Sequence, residues 1–273
     1  ALRLQAAGVQ VTLIDPGDKR RGASFGNAGH IGVEQVMPWS TWPNLLSFPK
    51  HLFGLGGPLD FRWSDIGLWG PWAWRFMQAS DPARVATGQA ALTAILSDAM
   101  GAWRRLESLA EMSGMVIPHG QANVWMSKAN ADTAREVWDR TPIGGASFRE
   151  MTGDELARYA AVLRRPPESG LMFSGTGQVR DPQGARDTIL SSFTTRGGEI
   201  ARGAVTRIDA GAKPRAVLNN GAAREADAVL ITCGAWSGRL MRQLGVTAPL
   251  IGERGYSMQS AEHNWPEDLP TTI

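Results

Sequence analysis

An apolar run that ends in an acid, Val9-Gln10-Val11-Thr12-Leu13-Ile14-Asp15, constrains this chain more than any other feature. A polar turn follows it, and then a loop of mostly small residues, Ser24-Phe25-Gly26-Asn27-Ala28-Gly29. The β-branched, apolar content of the run predicts a strand. Upstream, Leu2, Leu4, Ala6 and Ala7 lead to Gly8, which reads as the last turns of a helix and its C-terminal glycine. Helix, strand, acid and small-residue loop in that order form the middle of a βαβ unit. In dinucleotide-binding units of this kind the acid ending the second strand accepts hydrogen bonds from the adenosine ribose. Asp15 stands at that place. An acid at a strand end is by itself more often a turn residue, and the loop beside Asp15 is what favours the nucleotide reading.

Such an acid ordinarily follows the phosphate-binding glycines by roughly 20 residues. Here fourteen residues precede Asp15, and the first is not Met. The glycine fingerprint is therefore expected a few residues upstream of Ala1. The chain is expected to be a piece of a longer protein, without the helix N-terminus that would hold a pyrophosphate.

With 273 residues, 43% hydrophobic and 20% charged, the chain has material for two domains or one large one. A net charge of +2, with only Lys19, Lys50, Lys128 and Lys213 as lysines, points to no polyanionic partner. No basic run is interleaved with aromatics, so no nucleic acid is expected. The one cysteine, Cys233, rules out an internal disulfide and suits a reducing compartment. The expected location is the cytoplasm, with association to the inner face of the cytoplasmic membrane left open. No apolar stretch is long enough to span a bilayer.

From Met37 to Gln78 the texture changes, with six of the eleven tryptophans and five prolines. This segment is expected to be irregular, with short helices. Packing under a loop-rich cap is its commoner role; an apolar substrate pocket or a membrane surface is the alternative. Leu92, Ile95, Leu96, Ala99, Trp103, Leu106 and Ala110 predict one helix ending near Gly114. Val116-Ile117 and Ala122–Met126 predict a hairpin, 131–138 a helix, and 148–152 a short strand. A helix capped by Thr152 follows, since Thr152-Gly153-Asp154-Glu155 has capping-box spacing. Leu171–Val179 predicts one strand and Gln183–Arg196 a helix closed by Gly197-Gly198. Glu199–Ala201 predicts a short strand, and 205–208 with 215–218 a hairpin. Ala228–Thr232 is a continuous apolar run leading to Cys233-Gly234-Ala235-Trp236-Ser237 and a helix to Leu244, the pattern of a buried parallel strand.

Three motifs together resemble the D-amino-acid oxidase/dehydrogenase superfamily of FAD enzymes, and most of all its bacterial D-amino-acid dehydrogenase branch. They are VTLID with the loop just described, GQVRDPQG with its helix and GGEI, and ADAVLITCGAWSGRLMRQLG followed by PLIGERGY. Each alone is only moderately specific; their order and spacing carry the likeness over nearly the whole chain. The resemblance implies an α/β fold, with an incomplete Rossmann-like FAD-binding domain and an inserted α+β substrate domain containing a mixed or antiparallel sheet. The FAD-binding domain would comprise 1–35 and 180–246, and the substrate domain 36–179 and 247–273.

The resemblance also implies roles. Asp15 would hold the adenosine ribose. Ser24, Asn27, Ala28 and Gly29 would lie along the flavin's phosphate and ring, mostly through backbone N–H groups. Val205 would contact the adenine side through its backbone, and Cys233-Gly234 would pass near the ADP portion. Cys233 reads better as a small packing residue than as a redox thiol. His30 faces substrate or flavin, or is a satisfied structural histidine, with neither favoured. Tyr256 is a candidate for the substrate cavity, and Arg254 reads as a structural or cofactor-side charge. His51, His119 and His263 lack metal-ligand spacing, so no metal is expected.

No Ser-His-Asp set, carboxylate pair or Walker motif stands out, which agrees with chemistry carried by a flavin. The expected reaction is oxidative deamination of D-amino acids, with hydride passing from the amine-bearing carbon to the flavin. The resulting imine is hydrolysed to a keto acid and ammonia. Electrons would go on to a quinone, another acceptor or oxygen. Rival readings are oxidation of sarcosine, glycine or another secondary amine, an NAD-dependent dehydrogenase, and a non-catalytic partner-binding module.

Overall fold

The computed structural model describes residues 1–17, 22, 24–52, 54, 62–248, 250, 252 and 265–272. Its elements run α1 (Leu2–Ala6), β1 (Thr12–Asp15), β2 (His30–Ile31), α2 (Trp42–Ser47), α3 (Ile66–Ala79), α4 (Pro82–Leu96) and α5 (Ala99–Ala110). Next come β3 (Val116–Ile117), β4 (Gln121–Trp125), α6 (Lys128–Arg140), β5 (Ser147–Glu150), α7 (Gly153–Ala160), β6 (Ser169–Ser174) and β7 (Gly177–Val179). The last are α8 (Pro182–Thr195), β8 (Glu199–Arg202), β9 (Val205–Asp209), β10 (Arg215–Leu218), β11 (Ala223–Glu225) and α9 (Ser237–Gln243). They fall into two compact units: Ala1–Gly29 with Arg105–Met115 and Val179–His263, and His30–Arg104 with Val116–Gln178 and Asn264–Ile273.

In the first unit β1 finds its partner far along the chain. It pairs in parallel with β8, from Thr12 opposite Glu199 to Asp15 opposite Arg202. Helix α1 lies on α8, and Leu2 and Phe193 are buried there. The Gln5 side chain ties the two, donating to the carbonyls of Phe193 (3.2 Å) and Arg196 (2.8 Å). Helix α8 begins where the sequence signals it: Pro182 fills the first turn, and Asp181 Oδ1 accepts from the N–H groups of Gln183 and Gly184. After α8, Gly198 is required because a Cβ there would enter the Phe193 ring. Strands β9, β10 and β11 form an antiparallel sheet in the order β11-β10-β9, and α9 is tied to β9 by Gln243 Nε2 donating to the Thr206 carbonyl (3.0 Å).

The run 228–232 corrects the expectation of a buried parallel strand. It is irregular, and Leu230 is 73% exposed. Strand propensity is realised only against a neighbouring strand. Among the described residues β1 is paired on one edge only, and neither it nor any other strand takes up this run.

The second unit holds two three-stranded sheets, β2-β7-β3 and β4-β6-β5. The second is antiparallel throughout. Val116-Ile117 and 121–125 therefore do not form the expected hairpin; they are strands of different sheets. Gly120 divides them at φ +82°, where a side chain would collide with the Phe173 carbonyl. The expected single strand 171–179 is likewise two strands, broken at Gly175 (φ +84°) and Thr176. Tyr159 on α7 and Ala122 on β4 are fully buried with Met151, Met172 and Leu269 as a core, which Trp265 and Val124 pack against.

Two helical expectations change. The helix predicted from Leu92 is the end of α4, which begins at Pro82 behind an Asp81 cap, and a second helix, α5, starts afresh. At the break, Ser97 Oγ donates to the Ala94 carbonyl, a local bond that competes with helix continuation. The tryptophan-rich segment contains a full helix, α3, with Pro71 inside it. Pro71 leaves the Gly67 carbonyl without its helical donor, which is tolerable because Gly67 is exposed to water. The expected packing role does not hold for much of this segment, since Trp39, Trp63, Leu68 and Trp74 are exposed.

Candidate functional site

Asp15 closes β1 at the carboxyl end of a parallel pair, the end at which ligands bind in open α/β sheets. Its Oδ1 accepts from the Gly17 N–H (2.7 Å) and lies 3.5 Å from Arg202 Nη1, and its side chain is 39% exposed. The Asp15 carbonyl accepts from the Gly203 N–H (3.2 Å), two residues before Val205. The ladder thus brings Asp15 and Arg202 to one corner, and the half-buried Val205 follows shortly after Arg202 at the start of β9.

The loop after β1 is closed on itself. Phe25 N–H donates to the Gly22 carbonyl (2.9 Å), and Asn27 N–H to the Ser24 carbonyl (3.4 Å), around Gly26 at φ +73°. Asn27 Oδ1 accepts from the Gly29 N–H at 2.6 Å, an Asx turn, so both groups are spent within the loop. Gln183 Nε2 reaches the Ser24 carbonyl (2.8 Å), and Val179 N–H donates to the Gly29 carbonyl (2.7 Å). These bonds clamp the loop to the start of α8. Gly29 is buried with φ +80°, and a Cβ would strike the Val179 carbonyl, so its smallness serves chain packing. Ser24, Phe25, Asn27 and Ala28 are exposed.

Contrary to the buried packing role expected for it, Cys233 is exposed, and it opens a short 3-10 turn, Gly234–Trp236, in which Gly234 takes φ +54°. Among the described residues no backbone hydrogen bond ties Cys233 or Gly234 to β1 or to the 24–29 loop. The structure brings Asp15 and Arg202 together and shows no bond from Cys233 to either.

His30 belongs to the second unit and heads β2. Its Nε2 is 2.8 Å from Oε1 of Glu34, which is 4% exposed. Burial pushes the Glu34 carboxyl up, but the bond from His30, the Glu34 backbone N–H, the imidazole's charge and the Thr176 hydroxyl outweigh it and hold the group below its ordinary value. Tyr256 and Arg254 lie outside the described residues. No cluster of three or more metal-ligating side chains exists among the described residues, and none of their helices is long and apolar enough to cross a membrane.

Sequence reasoning missed Glu34 and Arg202. An acid inside the apolar run Ile31–Val36 was the available signal for Glu34. Arg202 is visible only through the β1–β8 register, which no local pattern encodes.

Residues 1–272 match the family described as FAD dependent oxidoreductase. The chain is 28% identical over 260 residues to a D-amino-acid oxidase of Bradyrhizobium diazoefficiens, covering 94% of this chain and 62% of that protein. It is 24% identical to a D-amino acid dehydrogenase of Neisseria gonorrhoeae, covering 93% and 62%. The chain thus spans 62% of the length of these relatives. Among solved structures, its fold is similar to glycine oxidase from Geobacillus kaustophilus (TM-score 0.53, 17% identity, 90% of this chain and 54% of that one). It is also similar to L-amino acid deaminase from Proteus vulgaris (TM-score 0.54, 16% identity, 91% and 53%).

Proposed function

The chain belongs to the family of FAD dependent oxidoreductases, and from that premise we propose that the protein oxidatively deaminates D-amino acids. The observation that carries this reading is the likeness to D-amino-acid oxidase and dehydrogenase over more than nine-tenths of the chain. The cofactor fits the residues at the first unit's strand end. A part-exposed carboxylate at the carboxyl end of a parallel strand suits a ribose diol, and the exposed small residues Ser24 and Ala28 allow close approach.

In this proposal Asp15 holds the ribose and the Val205 backbone meets the adenine side. Asn27 keeps the 24–29 turn closed beside the flavin, with Ser24, Ala28 and Gly29, while Cys233-Gly234 pass near the ADP portion. Residues 1–35 and 180–246 would carry the cofactor, and 36–179 with 247–273 the substrate. Bound FAD supplies the acceptor for the hydride. Loss of that hydride from carbon and of a proton from nitrogen leaves an imine, which water converts to a keto acid and ammonia. The electrons then pass to a quinone, another acceptor or oxygen.

The test is an anaerobic visible spectrum of the protein encoded by its whole gene, titrated with D-amino acids, L-amino acids, glycine and sarcosine. Bleaching of a flavin band by D-amino acids is the expected result. Bleaching by glycine or sarcosine alone would transfer the activity to small or secondary amines. No flavin band after reconstitution would overturn the reading.

A further inference from the structure

The last rung of the β1–β8 ladder sets two opposite charges side by side. Asp15 stands across from Arg202 in the parallel register, so both side chains leave the same face of the pair. Arg202 Nη1 lies 3.5 Å from Asp15 Oδ1, and the two side chains are 66% and 39% exposed. An ion pair this open to water adds little to stability. Its place is the carboxyl end of two parallel strands, where open α/β sheets receive ligands.

The corner holds one carboxylate oxygen and leaves the other. Oδ1 accepts from the Gly17 N–H at 2.7 Å, closing an Asx turn, and faces Arg202 as well. Oδ2 has no partner among the described residues. The arginine is itself seated on this turn. A Cβ on Gly17, which takes φ +86°, would stand 3.0 Å from Nη1 and 3.5 Å from Cζ. Glycine there suits both the left-handed backbone and the guanidinium lying over it. A carboxylate held through one oxygen loses its freedom to turn before a ligand arrives, which lowers the cost of binding. Beside a guanidinium, the oxygen left over suits a neutral hydroxyl; a phosphate would meet the carboxylate's charge.

Resting on the reading of this protein as an FAD enzyme, we propose that Arg202 is a positioning residue for the cofactor's adenosine. It fixes the Asp15 carboxylate through Oδ1, so that Oδ2 is set to accept from a ribose hydroxyl. Recognition of that hydroxyl then depends on a side chain that itself need not touch the ribose.

Calorimetry on the flavin-free form of the protein encoded by its whole gene tests this with ADP and 2′-deoxy-ADP, which differ by one ribose hydroxyl. The wild type is expected to prefer ADP by about tenfold or more, the worth of one hydrogen bond to a charged group. Arg202→Gln is expected to cut that preference to about threefold or less, by weakening ADP more than 2′-deoxy-ADP. Arg202→Lys, which keeps the charge without the planar fork, should fall between the two and gives a second reading should the glutamine variant fail to fold. After Asp15→Ala, Arg202→Gln should change the remaining preference no further, because it acts through the carboxylate. Equal weakening of both probes, an unchanged preference, a wild type without one, or a further loss after Asp15→Ala would overturn the proposal. Neither probe contains flavin or is turned over. A flavin band that no D-amino acid bleaches would therefore sink the proposed activity while leaving the role of Arg202 to stand or fall by itself.

Discussion

Single residues fix the geometry around the carboxyl end of β1, and two of them give sharp tests. Gly29 sits at φ +80° with the Val179 carbonyl where a side chain would go. Gly29→Ala is expected to cost about 2 kcal/mol or more through left-handed strain and the forced contact. A drop in the urea midpoint at unchanged slope would register it. Asp15→Ala is a test of binding. Hydrogen bonds to a charged group are worth about 1.5–3 kcal/mol, so FAD affinity should fall about 10- to 100-fold by fluorescence titration. Unchanged affinity would return Asp15 to being a turn residue. The place of Asp15 at the end of β1 was legible because an apolar run closed by an acid is a local pattern. The burial of Glu34 was not legible, because burial is a property of the folded unit.

Elements differ in how much of their stability is local. Helix α7 is marked in sequence and in structure by the same four residues. Thr152 Oγ1 accepts from Glu155 N–H (3.3 Å), Glu155 Oε2 accepts from Thr152 N–H (2.8 Å), and Arg149 grips both carboxylate oxygens (2.6 and 2.8 Å). The Arg149 bond, then the Thr152 backbone, holds the Glu155 carboxyl down at about 2. A depressed carboxylate stabilises the fold fully above its unfolded value, near 4.5, and that share is lost as pH falls toward about 2. Glu155→Gln should flatten the stability profile in that window and cost about 1 kcal/mol at neutral pH, in line with loss of a helix cap. Equal acid sensitivity of wild type and variant would contradict this. Helix α3 stands at the other extreme: Trp74 is 58% exposed and Leu68 82%, so Trp74→Ser should change stability by less than about 0.5 kcal/mol in a thermal melt. Its length escaped sequence reasoning because prolines and tryptophans mask helical periodicity. The run 228–232 failed for the opposite reason, since its apolar pattern was clear but a strand needs an edge to pair with.

At the scale of the whole molecule, each unit is assembled from segments distant in sequence, and each has its own buried centre. In the second, Tyr159 is fully buried and its hydroxyl donates to the Pro270 carbonyl (2.9 Å), which ties α7 to the last described residues. Burial pushes this phenol well above its ordinary range. Tyr159→Phe should therefore cost about 1 kcal/mol by leaving that carbonyl without its donor, measured as a shift in the chemical-denaturation midpoint.

The β1–β8 ladder carries a consequence in time. Thr12 and its partner Glu199 are separated by 187 residues, so β1 leaves the ribosome long before β8 exists to pair with it. At typical bacterial and eukaryotic synthesis rates of about 5–20 residues per second, that wait is on the order of 10–40 s. Loop closure over such a distance also makes the pairing intrinsically slow. During that interval the edge of β1 that β8 will cover stays open, an unpaired apolar edge of the kind that chaperones shield while a protein is being made.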